Sequence, residues 1–159
     1  MTPMRWLFAA LSLVLVTACD GGEDGPAGPA AAAAEPSIDI GNAFVMVPLE
    51  GRDVTMAGLD IAVRGQDVRL VEVRTTFAES AELHTMSMVD NKMTMRQVDG
   101  FDIAAGETFQ LKRGGNHIML FQVDPLEPDE AYDLSLVFEY GDEHREVVNV
   151  LARAQTFGE

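Results

Sequence analysis

Cysteine is nearly absent from this chain: Cys19 is the only one among 159 residues. The rest of the molecule therefore has neither disulfides nor thiolate metal ligands, and no exposed thiol that an oxidising compartment would attack. Basic charge is scarce too, with 11 Lys and Arg against 26 Asp and Glu and a formal net charge of −15. That balance argues against a nucleic-acid binder, whose phosphate contacts need positive surface, and it disfavours docking on anionic lipid by charge alone. No segment shows a long helical repeat. Nor is there a nucleophile set beside a base, a distinctive pair of acids or a phosphate-cradling glycine loop, so an enzyme is not expected.

The one apolar run, Trp6 through Val16, is too short to span a bilayer comfortably and follows a short basic stretch containing Arg5. Residues 1–18 read as a signal peptide. Its end, Val16-Thr17-Ala18-Cys19, has small residues ahead of the cysteine and looks like a lipobox, which makes Cys19 a lipid anchor on the new N-terminus. Residues 19–36, running on through DGGEDGPAGPAAAAAEP, are rich in Gly, Pro, Ala and acids and lack apolar periodicity. Such a segment cannot bury enough surface to order itself and serves as a tether. The expected product is an envelope protein facing the periplasm, held to a membrane through its lipid only.

After Pro36 the composition changes to short, often alternating segments of Val, Ile, Leu, Phe and Thr separated by Gly, Asp, Asn and Pro, the pattern of strands. They are expected at Ile38 to Val47, Thr55 to Val63, Val68 to Phe77, Glu82 to Met88, Met93 to Val98, Thr108 to Leu111, His117 to Gln122, Tyr132 to Tyr140 and Glu146 to Ala152. Seven to nine such strands predict an all-β Greek-key sandwich of two sheets over residues 37–154, with 155–159 as a C-terminal tail.

Chemistry concentrates in the placement of Met and His. Met86, Met88, Met93 and Met95 cluster on one expected hairpin that begins just after His84, and His117-Ile118-Met119 lies in another strand. Positions i and i+2 of a strand share a face, so His117 and Met119 point together, as do His84, Met86 and Met88. Two such groups on neighbouring strands can converge on one ion. Imidazole and thioether donors, without carboxylate or thiolate, suit Cu(I) and discriminate against Mg(II), Ca(II), Mn(II) and Zn(II). Methionine is also a common filler of irregular cores. Taken alone, Met86, Met88 and Met93 are better read that way, and His144, beside the Gly141-Asp142 turn, as an exposed hairpin residue.

Read as a spacing, these residues form H-x10-M-x21-H-x-M from His84 through Met95 and His117 to Met119. The pattern resembles the signature of the periplasmic copper chaperones called PCu(A)C. Ala81-Glu82-Leu83-His84, Met93-Thr94-Met95-Arg96-Gln97-Val98, Ile103-Ala104-Ala105-Gly106-Glu107-Thr108, Gly114-Gly115-Asn116-His117-Ile118-Met119-Leu120 and Leu134-Ser135-Leu136-Val137-Phe138-Glu139 resemble that family's segments in order. The resemblance implies a monomeric cupredoxin-like β-sandwich holding Cu(I) near its surface through His84, Met95, His117 and Met119. It also implies a metallochaperone that delivers copper to a protein such as cytochrome c oxidase subunit II, at its dinuclear copper centre, with Met86 and Met93 as possible accessory ligands during exchange. Val63-Arg64-Gly65 and Asp129-Glu130 depart from the family's usual turns. A Met- and His-rich tail is missing as well, which argues against a second copper site. A storage or resistance lipoprotein that sequesters Cu(I) is the alternative. An electron-transfer cupredoxin is disfavoured, because blue-copper sites use a Cys thiolate.

Overall fold

A computed structural model describes residues 35–142 and 144–158; the signal segment, Cys19 and the tether up to residue 34 lie outside them. Among the described residues every regular element is a strand: β1 (Ser37–Met46), β2 (Val54–Arg64), β3 (Val68–Arg74), β4 (Ala78–Val89), β5 (Lys92–Gln97), β6 (Phe101–Ile103), β7 (Thr108–Leu111), β8 (His117–Val123), β9 (Ala131–Tyr140) and β10 (His144–Gln155). The all-β expectation is borne out. The strand that alternation did not reveal is β6, whose 3 residues are too few to display a period of two.

Instead of two separate sheets, one hydrogen-bonded path runs β5-β4-β8-β2-β1-β10-β9-β3-β6, with β7 joined to β2. The long strand β2 is the reason. Its first part, Val54 to Ala57, pairs with Phe121 to Ile118 of β8, and its second, Leu59 to Ala62, with Leu111 to Thr108 of β7. The exchange of partners falls at Gly58, where a Cβ would stand 2.3 Å from the Leu111 carbonyl oxygen and 2.6 Å from the Phe44 ring, so only glycine fits.

The path folds back on itself, because one side of every strand but the fully exposed β5 is apolar. Leu83, Ile118 and Leu120 of β4 and β8 share a buried cluster with Leu59 and Ile61 of β2, Leu70 of β3 and Leu134, Leu136 and Phe138 of β9. Each of these side chains contributes about 1.5–3 kcal/mol by leaving water, which makes this face the one that determines the fold. The opposite face of β4 and β8 is left free for chemistry.

The hairpin of β4 and β5 is set by its turn. Asp90 and Asn91 sit at φ +48° and +62°, both left-handed, which is a type I′ turn made from two residue types that tolerate that region. The turn dictates the register: Met88 opposes Met93, Met86 opposes Met95 and His84 opposes Gln97. On the other side of β4, His84 opposes His117 and Glu82 opposes Met119 of β8.

Candidate metal centre

Strand parity puts Leu83, Ile118 and Leu120 in the core, so the intervening His84, Met86, His117 and Met119 stand together on the outer face. The two imidazoles are adjacent, with ring centroids 6.0 Å apart and planes inclined by 37°. Both are buried, at 8% exposure for His84 and 3% for His117.

The loop before β8 decides which nitrogen of His117 is available. The Lys112 amide donates to the Asn116 carbonyl at 2.6 Å, and Gly114 takes φ +78°, a conformation suited to glycine. This closes the turn so that the Gly115 carbonyl faces Nδ1 of His117 at 2.8 Å. A carbonyl only accepts, so Nδ1 carries the proton and the neutral ring presents a lone pair at Nε2. That Nε2 lies 3.2 Å from Sδ of Met95. Nitrogen and sulfur bound to one tetrahedral ion at about 2.0 and 2.3 Å would stand about 3.5 Å apart, so the observed separation is close to a ligand pair's span.

His84 presents its other nitrogen. Nε2 lies 2.8 Å from Oε2 of Glu82, and a carboxylate accepts, so Nε2–H is the donor. Nδ1 is then left with a lone pair and is the one buried side-chain nitrogen or oxygen without a hydrogen-bond partner among the described residues. A buried polar atom of this kind costs about 1–3 kcal/mol unless something binds it. Carboxylate behind imidazole is also the arrangement that fixes the tautomer and raises the basicity of metal-binding histidines.

Met119 is half-buried on β8 and, with Met86 and His117, lines a cavity of about 240 Å3 whose wall includes Arg113 and Phe157. The Arg113 guanidinium lies 4.9 Å from the centre of the Phe157 ring, a cation–π contact that holds the C-terminal residues over this face. Met95 is 47% exposed at the hairpin side, accessible to an exchanging partner. No group of three or more His, Cys, Asp and Glu side chains able to hold a metal gathers among the described residues. The donor set here is two imidazoles with thioethers, which fits a soft monovalent ion.

The core-filling reading of the hairpin methionines is corrected by this geometry. Met88 and Met93 are 63% and 53% exposed, and Met86 lines the cavity instead of the core, because all three share the outer parity of His84. His144 is exposed at the start of β10, where its ring stacks on Tyr140 at 5.8 Å. Sequence reasoning missed Glu82, although its position two residues before His84 on a strand was a usable signal. It also missed Met56, Arg113 and Phe157, which reach this face only through pairing and folding.

The family described as "LpqE-like: Putative lipoprotein LpqE-like" matches residues 38–150, more than half of the chain. "Putative lipoprotein Lxx21020" of Leifsonia xyli subsp. xyli (strain CTCB07) is 34% identical over 107 residues, covering 65% of this chain and 63% of that protein. The chain thus matches less than two thirds of that relative's length. Among solved structures, the copper-bound PCuAC domain from PmoF2 superposes with a TM-score of 0.60 at 20% identity, covering 75% of this chain and 92% of that one. The solution structure of CuI-DR1885 from Deinococcus radiodurans gives a TM-score of 0.59 at 27% identity, covering 81% and 84%. The resemblance to PCu(A)C proteins, drawn from residues 81–121 above all, is borne out, and the fold is the cupredoxin-like one of PCuAC domains.

Proposed function

This chain belongs to the LpqE-like family, and on that footing we propose that it is a copper metallochaperone of the cell envelope, binding Cu(I) through His84, Met95, His117 and Met119. The observation that carries the reading is the setting of two imidazole nitrogens: Nε2 of His117 beside Sδ of Met95 at 3.2 Å, and the buried, partnerless Nδ1 of His84. The copper-bound state recorded for the relatives of like fold, including CuI-DR1885 at 27% identity, supports copper as the cargo and Cu(I) as its oxidation state. Relatives described as lipoproteins support the anchor at Cys19, which lies outside the described residues.

Each residue has a separable task. Gly115 and Glu82 hold the two imidazoles in the tautomers that direct a lone pair at the ion. Burial of both rings keeps water from competing, and neutral donors leave about one positive charge in a strongly acidic protein, a modest attraction. Met95, 47% exposed, is the ligand that an acceptor's donor can displace, and release then proceeds by exchange of one neutral ligand for another. That exposure favours delivery over sequestration. The acceptor that the family resemblance implies is cytochrome c oxidase subunit II at its dinuclear copper centre, with this chain acting as a monomer. Because neutral imidazole is the ligand, Cu(I) binding weakens on acidification.

The test is an anaerobic Cu(I) titration of the purified full chain against a chromogenic chelator, beside His117→Ala and Met119→Leu. One equivalent bound tightly by the wild type and lost from both variants is expected. A wild-type chain that takes no Cu(I) from the chelator would refute the reading.

A further inference from the structure

The outer face carries more soft donors than one ion needs, and they are arranged in register. Met88 opposes Met93, Met86 opposes Met95, His84 opposes His117, and Met119 opposes Met56 of β2. Directly opposed side chains on one face have Cβ atoms about 4.5–5.5 Å apart, within joint reach of a single ion for residues as long as methionine. Each thioether assigned to the copper site therefore has a second methionine across from it. Met56 is half-buried, is absent from the hydrophobic core cluster and the side chains packed against it, and lines the open 240 Å3 cavity together with Met86, His117, Met119, Arg113 and Phe157.

We infer that this cavity is a second position for the same Cu(I), held by Met56, Met119 and His117. The inference rests on the copper reading and deepens it. In the outer position the ion has Met95, which solvent and partners reach. In the inner one the Met95 Sδ–Cu and His84 Nδ1–Cu bonds have broken and a Met56 Sδ–Cu bond has formed, so four neutral donors become three with no change in charge or oxidation state. His117 and Met119 serve both positions, so a single ion moves between them and the stoichiometry stays at one. The hairpin side is where copper is exchanged, and the open cavity lined by Phe157 is where the ion rests, away from the exposed Met95, between encounters.

The experiment uses the purified full chain with methionine methyls labelled with 13C, titrated with Cu(I) anaerobically. The forms compared are wild type, Met95→Leu, Met56→Leu and Met56→Leu/Met95→Leu. Leucine for methionine nearly conserves volume, so folding is retained. Met95→Leu is expected to keep one equivalent with the Met56 methyl shifted, and the double variant to bind at least about tenfold more weakly than the product of the single effects predicts, the non-additivity of two groups serving one ion. Binding by the wild type with the Met56 methyl unmoved in Met95→Leu, or purely additive losses, overturns the inference alone. No Cu(I) binding by the wild type overturns the copper reading and this inference with it.

Discussion

Removing the Glu82 carboxylate tests whether the proposed copper site extends beyond its direct ligands. Glu82 touches no ion in the proposed site; its Oε2 holds Nε2–H of His84 at 2.8 Å and so keeps the lone pair on the buried Nδ1. Without it, the His84 ring is free to change tautomer or rotate, and the imidazole loses the anionic partner that strengthens it as a donor. Loss of such a partner typically weakens metal binding about 10–100-fold. That is about 1.4–2.8 kcal/mol at 1.4 kcal/mol per factor of ten. The metal-free chain should barely respond, because the Glu82 side chain is 32% exposed and water can accept the proton in its place. Glu82→Ala should therefore weaken Cu(I) binding by that amount, in chelator competition, with a thermal unfolding midpoint close to wild type. Glu82→Gln, whose amide oxygen still accepts but carries no charge, should fall between the two. Wild-type affinity in Glu82→Ala would refute the argument and leave Glu82 a bystander to His84. A loss of affinity matched by a collapse in apo stability would refute it equally, since the cause would then be unfolding.

Three further outcomes are expected. Gly58→Ala should destabilise the domain by at least about 1–3 kcal/mol, the usual cost of overpacking, because its Cβ would meet the Leu111 backbone oxygen at 2.3 Å and backbone cannot rotate away; urea midpoints measure this, and a neutral effect would contradict the crossing of β2 described here. Met86→Leu and Met93→Leu should slow Cu(I) transfer to a competing chelator in stopped-flow while leaving equilibrium affinity nearly unchanged, and unaltered rates would remove both from the exchange route. Hydrogen bonding from Arg74, with its charge, lowers the Glu72 carboxyl below its ordinary range, so the pair's contribution is present above the usual glutamate pKa and is lost as pH falls through the lowered value. The two side chains are 60% and 43% exposed, so the melting-temperature advantage over Arg74→Ala should be small at neutral pH and vanish in acid; an advantage growing in acid would reverse the sign.

Much of the candidate site is legible in the sequence alone. The period of two in a strand was enough to put His117 with Met119, and His84 with Met86 and Met88, on common faces, and the softness of those donors pointed to copper. The same parity also contradicts the expectation that Met86, Met88 and Met93 fill the core, since His84 shares their side and Leu83 does not. What alternation along one strand cannot contain is its neighbour. That Met56 faces Met119, that β2 serves two partners through Gly58, and that Phe157 lines the cavity depend on contacts between residues far apart in the chain. The tautomers of His84 and His117 depend on acceptors that only the folded backbone aims at them. Residue type and parity are local properties, carried by the sequence itself; register, burial and the direction of a lone pair arise when separate strands meet, and for this protein those decide where an ion can sit.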